Sequence, residues 1–120
     1  MAHILIVDDS PTEASFIKKI LEGQGYKTSK AENGEEGIQK AKEILPDMVI
    51  MDVVMPGLNG FQATRKITKN PETSSIPVII VSSKNLESDR AWGLKQGAKE
   101  FLVKPVSKEK LLEAVKKQLG

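Results

Sequence analysis

Three stretches of this chain are apolar at every position: ILIV at residues 4–7, MVIM at 48–51 and VIIV at 78–81. A strand with one face in water alternates apolar and polar side chains. An unbroken apolar run instead means burial on both faces, the condition of a strand inside a parallel sheet covered by helices. Weaker runs at 26–31 and 100–103 supply two more strands, for five in all. No other feature narrows the possible folds as sharply.

The stretches between these runs are amphipathic and have recognisable ends. Ser10, Pro11, Thr12 and Glu13 read as a capping box with proline at the first helical position, and Ile17, Ile20 and Leu21 give that helix its apolar stripe before Gly23 and Gly25 stop it. Further helices are expected over about 35–45, ended by Pro46, over 60–69, and over about 86–96, ended by Gly97. A last one starts near Ser107 with Leu111, Leu112, Val115 and Leu119 on one side. The order is strand then helix, five times over. Right-handed crossovers turn it into a doubly wound α/β sandwich with strand order 2-1-3-4-5.

In such a sandwich ligands bind at the carboxyl ends of the strands, where strand order reverses. Asp8 and Asp9 follow the first strand, Asp52 the third, Ser82 and Ser83 the fourth, and Lys104 with Pro105 the fifth. Glu32 and Asn33 end the second, an edge strand, and fall outside the cluster. Each residue alone is by default a cap, a turn residue or a surface cation. Their joint occurrence at four strand ends is what carries information.

Two adjacent carboxylates beside an apolar core repel unless a cation relieves them. Asp8, Asp9 and Asp52 offer hard oxygen donors of the kind Mg²⁺ takes while keeping several of its waters. A hydroxyl and an ammonium beside that cation suit phosphoryl transfer onto a carboxylate, with Asp52, central on the third strand, as acceptor.

These residues lie in stretches that resemble the response-regulator receiver domain of the CheY type. The matching segments are ILIVDDS (4–10), DMVIMDVVMPGLNG (47–60), IPVIIVSS (76–83) and GAKEFLVKP (97–105), in the family's order and at its separations. The resemblance implies a flavodoxin-like three-layer sandwich. It implies Asp8 and Asp9 as the acidic pair around Mg²⁺, Asp52 as phosphoacceptor and also a metal ligand, and the Val54 carbonyl as a further ligand. It implies that Ser82 contacts the phosphoryl group, that Lys104 binds it, and that the Lys104–Pro105 peptide bond is cis. Phe101 falls at the family's aromatic switch position, with a plain core phenylalanine as an equal reading. Ser82 moving toward the phosphoryl group is then expected to let Phe101 move inward. By the same resemblance a histidine kinase of the chemosensory type supplies the phosphoryl group. An output protein docks on the surface of the fourth helix, fifth strand and last helix. The wording MPGLNG and NGFQATRKIT, with SPTE and Trp92, resembles regulators of type IV pilus twitching motility.

Composition bounds the rest. At 120 residues the chain is read as one domain with no output domain, large enough for a core without disulfides, and it has no cysteine. No apolar run approaches membrane-spanning length, so a cytoplasmic monomer is expected. Residues 1–60 carry 6 Lys and Arg against 10 Asp and Glu, while residues 61–120 carry 12 against 6. The modest net charge and sparse aromatics argue against nucleic acid or a membrane as partner. His3, the only histidine, is expected to be solvated, and Trp92 stays open between core and surface. A flavin binder of the same fold would want a phosphate-cradling loop and aromatic rings. An aspartyl-phosphate phosphatase would want a second acid where Val54 stands. A phosphate sink that drains a shared kinase remains the nearest alternative role.

Overall fold

The computed structural model describes residues 2–120. Five strands, β1 (His3–Val7), β2 (Lys27–Ala31), β3 (Met48–Met51), β4 (Val78–Ser82) and β5 (Glu100–Val103), alternate with five helices, α1 (Pro11–Gly23), α2 (Gly34–Ile44), α3 (Gly60–Lys69), α4 (Glu87–Lys95) and α5 (Lys108–Leu119). The strands form one sheet in the order β2-β1-β3-β4-β5, every neighbouring pair parallel. This is the expected doubly wound, flavodoxin-like architecture.

The apolar runs divide their side chains between two cores. Leu5, Val7, Val49, Met51, Val78 and Ile80 face one way, into a cluster with Phe61, Ile67 and Phe101. Ile4, Ile6, Met48, Ile50, Ile79 and Val81 face the other, against Ile17 and Leu21 of α1 and Leu111 and Val115 of α5. Burying each such side chain contributes about 1.5–3 kcal/mol; because both rows are apolar, an insertion of one residue in β1 or β3 would exchange the side chains of the two cores and spoil the packing of both.

Helix ends follow local chemistry. Ser107 caps α5 by accepting the Lys110 N–H, and Asn33 caps α2 by accepting the Glu36 N–H. Asn59 and Gln62 form a reciprocal capping box on α3. Pro46 disfavours the right-handed helical region for the residue before it, and Leu45 ends α2 in the left-handed region at φ 44°. The capping box expected on α1 is only half present. Ser10 Oγ accepts the Glu13 N–H at 3.3 Å, but the Ser10 N–H is donated to Asp8 Oδ1 at 2.8 Å, leaving the Glu13 carboxylate free for another partner. His3 differs from expectation as well: it is half-buried, with Nε2 2.7 Å from Ser29 Oγ, and it links the start of β1 to β2. Among the described residues no helix is long and apolar enough to cross a membrane.

Three backbone hydrogen bonds carry the sheet ladder just past its strands and into the functional end. The Asp8 N–H donates to the Ala31 carbonyl (3.0 Å), the Asp52 N–H to the Val7 carbonyl (2.9 Å) and the Lys104 N–H to the Ser82 carbonyl (2.8 Å). Each polar residue is therefore positioned by a neighbouring strand, and its side chain starts from rigid backbone.

Candidate functional site

The expected acidic residues do converge. One carboxylate oxygen from each of Asp8, Asp9 and Asp52 lies within 4.8 Å of the others. Asp8 and Asp52 are buried, at 3% and 7% exposure, while Asp9 is open to solvent. Lys104 enters the cluster from the end of β5, its Nζ 3.4 Å from Asp8 Oδ2, 3.3 Å from Asp52 Oδ1 and 2.9 Å from Glu13 Oε1. The Lys104–Pro105 peptide bond is cis.

Electrostatics follow from this crowding. Burial raises the Asp52 carboxyl from the ordinary 3.8 to about 6; Lys104 works against that rise and Asp8 adds to it. Burial likewise raises Asp8, partly offset by the Ser10 backbone N–H and by Lys104. For Lys104 burial alone would lower the pKa, but Glu13, Asp52 and Asp8 together carry it above its ordinary value. One ammonium thus faces three carboxylates, and the acidic pair at the strand ends remains under-compensated. A donor set made only of carboxylate oxygens, with no imidazole or thiolate, fits a hard divalent cation such as Mg²⁺.

The loop after β3 requires a glycine at the start of α3, a need that no sequence pattern shows. Asp52 Oδ1 accepts the Val53 N–H at 2.8 Å, and the Gly60 N–H donates to the Val53 carbonyl at 2.9 Å. A Cβ on Gly60 would stand 2.0 Å from the Asp52 carbonyl oxygen, so α3 can begin against the back of Asp52 only with glycine there. Glu13, which the sequence offers only as the far half of a cap, also enters the site: it stands four residues after Asp9 and its carboxylate reaches Lys104.

The remaining expected residues sit as follows. Val54 lies in the β3–α3 loop with an exposed side chain. Ser82 ends β4 fully buried, and its hydroxyl accepts the Lys84 N–H at 3.1 Å. Among the described residues no hydrogen bond joins it to Asp52. Phe101 is already inside, 5% exposed and paired in register with Ile80, and a Cβ on Gly93 of α4 would lie 3.0 Å from its ring. The inward movement expected of Phe101 therefore has little distance left to cover. Trp92 is half exposed with Lys95 Nζ 5.9 Å from its ring centre. Four residues further on, Gln96 Oε1 accepts from Arg65 of α3 at 3.4 Å.

With the geometry in place, comparison with known proteins gives a consistent result. A family model described as the response regulator receiver domain matches residues 4–116. The chain is 56% identical over 115 residues to Protein PilH of Pseudomonas aeruginosa, covering 96% of this chain and 95% of that one. It is 36% identical to the chemotaxis protein CheY of Thermotoga maritima, again over 96% and 95% of the two chains. Among solved structures, the receiver domain of a Pseudomonas aeruginosa sensor histidine kinase superposes with a TM-score of 0.91 at 28% identity. The match covers 99% of this chain and 98% of that one, and a magnesium ion is coordinated in that protein's active site cleft.

Proposed function

The chain belongs to the response regulator receiver domain family, and from that premise we propose that it accepts a phosphoryl group on Asp52 from a histidine kinase, with Mg²⁺ held by Asp8, Asp9, Asp52 and the Val54 carbonyl. The observation that carries this reading is the meeting of three carboxylates and Lys104 at the carboxyl ends of β1, β3 and β5, with Asp52 central.

An ionised Asp52 oxygen forms the new bond to phosphorus as the P–N bond of a phosphohistidine breaks. The imidazole nitrogen keeps the electron pair and takes a proton, and an aspartyl phosphate results. At neutral pH Asp52 is mostly ionised despite its raised pKa, so the nucleophile needs no separate base. Lys104 moves its ammonium from carboxylate oxygens to phosphoryl oxygens, and the Ser82 hydroxyl donates to one of them. Bound Mg²⁺ would add positive charge at those oxygens and ease the repulsion among the acids.

The mark is read through the surface of α4, β5 and α5, where Arg90 and Lys110 line an open groove with Val103. The identity with PilH over nearly its whole length supports a role in a type IV pilus pathway. Incubation with phosphoramidate and Mg²⁺ is expected to add one base-labile phosphoryl group, which Asp52→Asn removes. Label on Ser82 or Ser83 instead would overturn the assignment.

A further inference from the structure

Glu13 stands at the third position of α1, where its backbone N–H is capped by Ser10. A glutamate there normally returns its carboxylate to the N-cap N–H. That donor is taken by Asp8, and the Glu13 carboxylate turns to Lys104. Its 2.9 Å approach is closer than those of Asp52 (3.3 Å) and Asp8 (3.4 Å). Glu13 is not part of the metal-binding cluster, and its side chain is 47% exposed while that of Lys104 is 14% exposed. The pair forms the polar edge of an apolar cleft of about 310 Å³ between α1 and the segment from Lys104 to Val106.

We propose that Glu13 is a positioning residue that competes with the phosphoryl group for Lys104, so that its carboxylate sets how readily the Asp52 site is occupied. The inference rests on Asp52 being the phosphoacceptor. A phosphoryl group carries about two negative charges and presents its oxygens where the Asp52 carboxylate now meets Lys104. To take the ammonium fully it must draw Lys104 off Glu13, or else share it with a second anion at close range. Either way the Glu13 charge works against the occupied state and favours the empty one. It does so from α1, without touching the reacting atoms.

The test titrates beryllofluoride, a phosphoryl mimic, into the full chain at saturating Mg²⁺, with fluorine NMR and Trp92 fluorescence as readouts. Glu13→Gln keeps the size of the side chain and removes its charge. It is expected to bind beryllofluoride roughly 3-fold to 10-fold more tightly than wild type, the range for a half-exposed ion pair backed by repulsion. Glu109→Gln removes a first-turn carboxylate from α5 and is expected to bind as wild type does. The Lys104 Nζ resonance is expected to differ between wild type and Glu13→Gln in the free protein, because the pair is then intact only in wild type. A gain below 3-fold in Glu13→Gln, or an equal gain in Glu109→Gln, overturns the inference. A wild-type protein that binds no beryllofluoride at all overturns instead the assignment of Asp52 on which it stands.

Discussion

Lys104 Nζ lies 3.3 Å from Asp52 Oδ1, yet the Asp52 carboxyl still has a pKa of about 6, well above the ordinary 3.8. The ammonium falls short because Asp52 is buried, and because the neighbouring Asp8 carboxylate adds repulsion. A group whose folded-state pKa is raised favours the fold while protonated. That contribution is complete below about pH 3.8 and is lost as pH rises through about 6. Without metal, ionised Asp52 therefore costs roughly 3 kcal/mol at neutral pH. Asp52→Asn is expected to be more stable than wild type in chelator at about pH 7, by up to that amount, with the gap closing toward about pH 4. Urea melts at the two pH values check this; a gap that does not change with pH would contradict the burial argument.

Mg²⁺ should recover part of the same energy. A cation that binds only the folded state stabilises it by mass action, about 1.4 kcal/mol at ten times its dissociation constant. Wild type is expected to show this gain, and Asp9→Asn to lose most of it while folding normally, because Asp9 is solvent-exposed. Equal gains in the two proteins would remove Asp9 from the ligand set.

Lys104→Ala should behave in the opposite sense to Asp52→Asn. It leaves Asp8, Asp52 and Glu13 without their cation, and breaking a buried charge group of this kind costs on the order of 3 kcal/mol at neutral pH. The protein should then gain more from Mg²⁺ than wild type does, since the metal becomes the only neutralising charge. Chemical melts with and without Mg²⁺ measure both effects; a smaller Mg²⁺ gain than wild type's would show that Lys104 helps to hold the metal.

How much of this was legible in the sequence depends on what each residue responds to. The runs at 4–7, 48–51 and 78–81 announced buried parallel strands because hydrophobic burial acts through composition at each position, and the strand ends then placed Asp8, Asp52 and Lys104 together. The role of Glu13 is not legible because a capping box is a local rule, and the competitor for the Ser10 N–H is the buried Asp8 carboxylate, itself fixed by the β1–β2 ladder. Gly60 was invisible for a related reason. Its need comes from the approach of α3 to the Asp52 backbone, a contact between elements that no sequence periodicity encodes.

Gly60→Ala follows from that contact. With backbone on both sides of the clash, the neighbour cannot rotate away as a side chain would, and a loss of roughly 2–4 kcal/mol is expected from overpacking at the start of α3. Gly23→Ala makes a suitable control, since a Cβ there meets nothing within 4 Å. Thermal melts in which the two variants lose equally would refute the close approach.

The last expectation concerns how occupancy of Asp52 reaches the surface. Phe101 is already packed against Gly93 and Ile80, so the ring has little room to swing and another element must carry the change. Helix α4 is the candidate, because Gly93 is its only buried residue and its N-cap, Leu86, makes no side-chain cap bond. The segment joining it to β4 is pinned by the Lys84 N–H donated to Ser82 Oγ. Ser82 rotating to donate to a phosphoryl oxygen would give up that acceptor geometry, and a bond to an ionised acceptor is worth about 1.5–3 kcal/mol, enough to compensate. Beryllofluoride with Mg²⁺ is therefore expected to change amide exchange across 83–95 and to change the fluorescence of Trp92 on α4, with little change in exchange at Phe101. Ser82→Ala should lose most of both signals while still binding the mimic. Signals of wild-type size in Ser82→Ala would mean that α4 is moved by another contact.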